Sequence, residues 1–225
     1  PFDIDQDGDM DYLLGNWGAN SKFTATVDDP MVMYHNDFDK NGQTETIVTT
    51  SKDGNYYPLN SFDELSSQLV KLKKKYGDYK SFAGQTIEEV FDKKALSESQ
   101  RFEVHTLLSG YLKNNNGTFS FVPFGNALQV SPIMAFAVYD FDKDGKDEAL
   151  MAGNYFGVKP FHGRLDSFAG ALLEDENTVT LGHFLGLDFA QKSARDLRVI
   201  QVAGKDYLLA TFNNDRVQVY ALTPY

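Results

Sequence analysis

Short apolar runs separated by acidic turns set the rhythm of this chain. Tyr12-Leu13-Leu14, Thr46-Ile47-Val48 and Ala149-Leu150-Met151 each follow a cluster of carboxylates, and Ala135-Phe136-Ala137-Val138-Tyr139 precedes the last cluster. Runs of this length, bounded by turn residues, predict β-strands. His105 to Leu112 and Thr118 to Val122 flank Asn114-Asn115-Asn116-Gly117, and Asn-Gly is the strongest short hairpin signal. Near the end, Leu197 to Val202 and Tyr207 to Thr211 flank Gly204-Lys205-Asp206. Asn213-Asn214-Asp215 then predicts a final hairpin with Val217 to Tyr220. Residues 61–105 follow a different period. Ser61 and Glu64 have capping-box spacing, with Leu65, Leu69 and Leu72 behind them at helical intervals. Thr86 to Glu89 predicts a second helix start and Ser97 to Gln100 a third, while Gly77 and Gly84 punctuate the segment.

The acidic turns share one register. Asp3-Ile4-Asp5-Gln6-Asp7-Gly8-Asp9-Met10-Asp11 is matched by Asp37 to Glu45 and by Asp140 to Glu148. Oxygen ligands at positions one, three and five, plus a later acid, suit a hard divalent cation, and calcium best accepts such a flexible shell. These are not EF-hands, which need a bidentate Glu at position twelve. That position holds Leu14, Val48 and Met151. The acid falls at position nine instead, as Asp11, Glu45 and Glu148. Position seven is Asp9, Gln43 or Lys146, a freedom expected where only the backbone carbonyl binds. Asn41 at position five removes one charge from the second loop, which predicts weaker binding there. The plain alternative is a set of metal-free Asp/Asn/Gly turns. Three copies in one register, the first with five acids in nine residues, weigh against it.

Strand, acidic loop and strand in this pattern resemble the FG-GAP or VCBS repeat, the blade of integrin-α-like β-propellers. The likeness covers most of the chain outside residues 61–105. It implies calcium ligands at Asp3, Asp5, Asp7 and Asp11, at Asp37, Asp39, Asn41 and Glu45, and at Asp140, Asp142, Asp144 and Glu148. Glu45 and Glu148 depart from the commoner Asp at position nine. The Gly-Thr-Phe step at 117–119 sits where such a blade closes. The C-terminal stretch, with Ala152-Gly153-Asn154-Tyr155-Phe156-Gly157, resembles multi-repeat VCBS proteins related to the UnbV/ASPIC group. The implied fold is all-β, about four propeller blades belonging to a larger propeller, with an α-helical insertion. The corresponding division is 1–60 as blades with two calcium loops, 61–105 as the insertion, and 106–225 as blades with one calcium loop and one degenerate, metal-free repeat. Pro1 stands inside a repeat, so the chain reads as a piece of a longer or processed protein, with the remaining blades as partners.

Charge fits that expectation. The formal net charge is −11, and three calcium ions would bring it to −5. An acidic chain lacks the clustered basic footprint of a nucleic-acid binder. The basic run Lys71 to Lys75 reads as a solvated helix face. With no cysteine there is no disulfide, zinc ribbon or thiol nucleophile. No apolar run reaches membrane-span length. Weak oxygen-rich sites fill at extracellular calcium levels, so the expected location is extracellular, periplasmic or outer cell surface.

Hydrolase, zincin and phosphate-loop motifs are missing from the sequence. His35 stands just before the second loop, and His105 and His183 read as core or edge residues. Lys159, His162 and Arg164 cluster close to Tyr155 and, with Asp166, are the compact candidate for catalysis; Trp17 lies in a similar Gly-Asn-aromatic segment. Arg and aromatic faces can hold carboxylates and sugars, so Trp17, Tyr155, Lys159, His162 and Arg164 are candidates for a glycan or protein ligand, against the plainer and preferred alternative of a blade-connecting loop whose aromatics pack between blades. Three functions follow: a calcium-stabilised binding or adhesion module, the reading preferred; a polysaccharide lyase or hydrolase on a propeller; or a structural segment of a surface protein.

Overall fold

The structure, a computed structural model, describes residues 1–222. It is mostly β, built from several antiparallel sheets. Two compact units divide it: Pro1–Lys22 with Leu108 onward, and Phe23–Leu107. No helix among the described residues is long and apolar enough to cross a membrane.

The first strand, β1 (Tyr12–Leu14), does not pair with the next strand in sequence. The whole second unit intervenes. It contains β2 (Met31–Asn36), β3 (Glu45–Lys52), β4 (Asn55–Pro58) and β5 (Gln100–Val104), in the order β4-β3-β2-β5. Between β4 and β5 run five short helices: α1 (Phe62–Gln68), α2 (Val70–Lys75), α3 (Tyr79–Phe82), α4 (Ile87–Val90) and α5 (Lys93–Ser97). Ser61 with Glu64 and Thr86 with Glu89 form the capping boxes the sequence predicts. Ser97, in contrast, ends a helix whose N-cap is Asp92, because Gln100 already lies in β5, paired with His35 of β2. Helices this short are marginal in water. A shared core of Ile47, Phe62, Leu65, Leu69, Leu72, Tyr76, Ile87, Val90 and Phe91 holds them to the sheet. The inserted unit is therefore wider than the helical segment 61–105, since the helices need the face that β3 supplies.

The other unit continues with β6 (Gly110–Asn115) and β7 (Thr118–Pro123), which complete a sheet β1-β6-β7. The strand expected from His105 begins only at Gly110. A meander follows, of β8 (Ile133–Tyr139), β9 (Glu148–Gly153), β10 (Ala171–Leu173) and β11 (Val179–Leu181). The third sheet is β12 (Ala194–Val202), β13 (Lys205–Phe212) and β14 (Gln218–Ala221). Asn116 and Gly117 turn at φ 53° and 88°, and Ala203 and Gly204 at φ 51° and 74°. Both central residues of a two-residue hairpin turn of this hand need positive φ.

The three sheets of this unit stack face to face, and the middle one explains why. Every residue of β9 is buried. Ala149 and Met151 point into one core with Tyr111, Phe124, Phe168 and Leu173. Leu150 and Ala152 point into a second, with Leu172, Leu197, Leu208 and Phe212. Fully burying a Leu or Phe contributes about 1.5–3 kcal/mol, so the alternation fastens the middle sheet on both sides. The two end sheets are apolar on their outer faces as well. Tyr12, Leu14, Phe119 and Phe121 are exposed on the first, with the Tyr12 and Phe119 rings 5.7 Å apart. Ile200, Val202 and Val219 are exposed on the last.

Candidate metal centres

Each acidic loop connects or precedes strands in the same way. Loop 1 (Asp3–Asp11) lies inside a bridge between Phe2 and Asp11 and leads into β1. Loop 2 (Asp37–Glu45) joins β2 to β3, and loop 3 (Asp140–Glu148) joins β8 to β9. Their backbones follow one course. The fourth residues, Gln6, Lys40 and Lys143, have φ of 59°, 62° and 67°, and the sixth, Gly8, Gly42 and Gly145, have φ of 95°, 89° and 94°. Nothing lies within 4 Å of where a Cβ would stand on these glycines, so conformation alone demands them.

Side-chain oxygens hold that course. The position-one carboxylates Asp3, Asp37 and Asp140 accept from the amides of Gly8, Gly42 and Gly145 at 3.1, 2.8 and 3.2 Å. Asp5, Asp39 and Asp142 accept from the amide two residues on at 3.3, 3.2 and 3.0 Å. Asp7, Asn41 and Asp144 do the same at 2.8, 2.7 and 2.8 Å, with donors Asp9, Gln43 and Lys146. The position-nine acids reach back across the loop. Asp11, Glu45 and Glu148 accept from the amides of Ile4, Phe38 and Phe141 at 3.0, 2.9 and 2.7 Å. All three are buried, at 1%, 7% and 5% exposure. Glu thus replaces Asp at position nine without losing the latch.

Ligand oxygens converge in each loop. Asp3, Asp5 and Asp11, then Asp37, Asp39 and Glu45, then Asp140, Asp142, Asp144 and Glu148 each bring one oxygen to within 4.8 Å of the others in its set. Asp7 and Asp9 fall outside the first set, and the Asp9 carboxylate instead accepts from the Asn116 amide at 2.9 Å.

Loop 3 has the strongest demand for a cation. Asp140 Oδ1 is buried and accepts no hydrogen bond. Burial holds the Glu148 carboxyl above its usual range against the Phe141 amide, and the charges of Asp142, Asp140 and Asp144 push it further up. In loop 2 the Gly42 amide leads the contacts that hold Asp37 below the usual carboxylate range. A calcium ion would fit the loop 3 donor set. Asp140, Asp142, Asp144 and Glu148 would hold it, and it would neutralise carboxylates that otherwise repel at short range.

Sequence reasoning missed what surrounds loop 1. The β6–β7 hairpin reaches it through the Asn114 amide on Asp11 Oδ1, at 2.7 Å, and through Lys113 Nζ on Asp5 Oδ2, also at 2.7 Å. Lys113 also pairs with Glu176 at 2.9 Å, and the Tyr111 hydroxyl shares that carboxylate. Burial, together with Glu176, pushes the Tyr111 hydroxyl up to about 12. No local motif marks Lys113, because it lies beyond the inserted unit.

Several of the remaining candidates are engaged within the protein. Arg164 pairs with Asp166 at 3.1 Å and stacks on Phe156 at 4.2 Å. His162 is half-buried beside the Phe161 ring, Lys159 is exposed, and Tyr155 bridges to Leu165 with Arg195 stacked 5.5 Å from its ring. Trp17 is half-buried in a segment that joins sheets. There the Asn16 carbonyl accepts from Ile133, and a Cβ on Gly15 would meet the Ile133 oxygen at 2.1 Å. Asn154 plays the same part after β9. Its side chain bonds Phe168, Phe189 and Lys192, and a Cβ on Gly153 would meet the Pro132 oxygen at 1.9 Å. Both Gly-Asn-aromatic segments are joints. His105 and His183 are exposed, His105 3.3 Å from Glu103 and His183 packed on Phe184, and neither lies in the core. His35 meets Thr46 at 3.1 Å.

No family model, no curated protein and no solved structure matches this chain.

Proposed function

We propose that this chain is a calcium-braced β-propeller module of the FG-GAP/VCBS kind, exported from the cytoplasm, in which the ions are structural and surface loops bind a glycan or protein ligand. The observation that carries the calcium reading is the buried, unpartnered Oδ1 of Asp140 among three further acids. A buried oxygen without a donor costs free energy, and four acids converging within 4.8 Å repel. One divalent ion offsets both costs. Loops 1 and 2 repeat the same backbone course and carry three converging acids each.

Blades are supported by the antiparallel sheets, in which an acidic loop joins β2 to β3 and β8 to β9, a Gly-bearing turn joins β12 to β13, and loop 1 leads into β1. The apolar outer faces of the end sheets, with Tyr12 and Phe121 on one and Val202 and Val219 on the other, suit further sheets of the same kind. Sites made only of oxygen ligands favour an environment rich in calcium. A binding role is preferred over catalysis because Arg164, the arginine of the Lys159–Arg164 cluster, is already engaged by Asp166 and Phe156.

Calorimetric titration of chelator-stripped protein with calcium tests the reading. Binding should saturate at three ions, one for each converging set. Absence of any binding at millimolar calcium would overturn it.

A further inference from the structure

Loops 1 and 3 share their ligand positions, yet a protein-borne cation stands at only one of them. Lys113 Nζ lies 2.7 Å from Asp5 Oδ2, with the two side chains only 26% and 15% exposed. The other oxygen of Asp5 takes the Asp7 amide. Both oxygens of this position-three carboxylate are therefore engaged. The lysines that belong to loop 3 turn elsewhere. Lys143 packs on the Tyr139 ring and pairs with Asp206 at 3.5 Å, while Lys146 is exposed.

Granted the calcium reading of the loops, on which the point rests, we propose that Lys113 is a built-in competitor that sets the affinity of loop 1, so that an ion entering there must displace its ammonium from Asp5. Two like charges cannot share one carboxylate at contact distance without mutual repulsion. The displaced ammonium keeps a partner, since Glu176 lies 2.9 Å away and itself accepts from the Tyr111 hydroxyl. Lys113 therefore acts as a two-position cation. On Asp5 it braces the empty loop against its own acids. On Glu176 alone it leaves Asp5 to the metal. Loop 1 then keeps its shape without calcium and fills after loop 3.

The test is calcium titration of chelator-stripped wild type, Lys113→Met and Lys113→Arg. Methionine keeps the aliphatic stem and removes the charge. The loop 1 site, identified as the one that Asp5→Ala weakens, should tighten about tenfold in Lys113→Met, as expected when local charge sets affinity, and stay as in wild type in Lys113→Arg. Equal affinity of that site in wild type and Lys113→Met overturns the proposal, as does the same change in both variants, which marks a packing role. If wild type binds no calcium, the reading of the loops fails instead. Amine labelling of wild type followed by mass spectrometry needs no variant. Lys113 should be protected in chelator and labelled in calcium, and labelling that is equal or lower in calcium also overturns the proposal.

Discussion

In loop 1 the Asp5 carboxylate rests on an ammonium at 2.7 Å, and the hairpin behind it adds amides of Asn114 and Asn116 to Asp11 and Asp9. In loop 3 the equivalent Asp142 has no ion pair among the described residues, and Asp140 Oδ1 is buried with no donor at all. The two loops nevertheless match in φ at positions four and six and in the latch from position nine to position two. The comparison separates two problems that a cluster of acids poses. Backbone amides and a glycine solve the conformational one in both loops. Only loop 1 solves the electrostatic one from within the protein.

Removing calcium is the harshest way to break that comparison. An ion present at 100 times its Kd adds about 2.7 kcal/mol to the folded state. In a domain of 150–250 residues 1 kcal/mol moves Tm by about 2–4 °C, and in one of 60–100 residues by about 4–8 °C. A strong chelator at neutral pH should therefore lower Tm by roughly 5–10 °C for the larger unit and roughly 10–20 °C for the smaller, inserted one, where each holds a filled loop. Loop 2 lies in one unit and loop 3 in the other, so both transitions should fall. Differential scanning calorimetry with and without chelator reads this directly. Unchanged melting in both units would leave no role for bound structural ions.

A gentler comparison uses single ligands. Asp142→Ala should weaken the tightest site by about tenfold or more, a loss of about 1.4 kcal/mol. Lys146→Ala should leave it within about twofold, because position seven offers only its carbonyl. Asp5→Ala should weaken loop 1 less than Asp142→Ala weakens loop 3, since Asp5 already gives one oxygen to Lys113. Titration calorimetry of the three variants decides the order. Equal affinities in Asp142→Ala and Lys146→Ala would contradict the ligand assignment.

What could be read ahead of the structure was whatever lies close along the chain. A nine-residue loop carries its ligands, its glycine and its latch in one stretch, and the boxes Ser61–Glu64 and Thr86–Glu89 span four residues each. The Asn116-Gly117 turn is equally local. Contacts between distant residues were not legible. Tyr12 pairs with Leu112 across the whole inserted unit, and nothing near β1 announces that. The helices were visible by their period, but not the β3 face that completes their core through Ile47. Lys113 lies equally far from Asp5 in sequence. Gly153-Asn154 is a further long-range case, since the glycine permits close approach to Pro132 and the amide saturates buried backbone groups of Phe168, Phe189 and Lys192. Polar side chains that look free in sequence are often spent on backbone.

Loop 2 offers the finest adjustment, because it differs from loop 3 at position five by one charge. Asn41 Oδ1 accepts the Gln43 amide at 2.7 Å, the bond that Asp144 makes to Lys146 at 2.8 Å. Asn41→Asp should keep that bond, since a carboxylate oxygen replaces an amide oxygen in the same place. What changes is the charge facing the ion. Calcium affinity at loop 2 should rise by roughly three- to tenfold, as ligand charge count tunes such sites. In chelator the same variant should melt slightly lower than wild type, because a fourth acid then joins Asp37, Asp39 and Glu45 without an ion among them. Opposite shifts in the two conditions are the signature of charge balanced from outside the protein. A variant that melts lower in both conditions would instead mark Asn41 as a turn residue whose amide matters for conformation, and loop 2 would then resemble loop 1 in needing no ion.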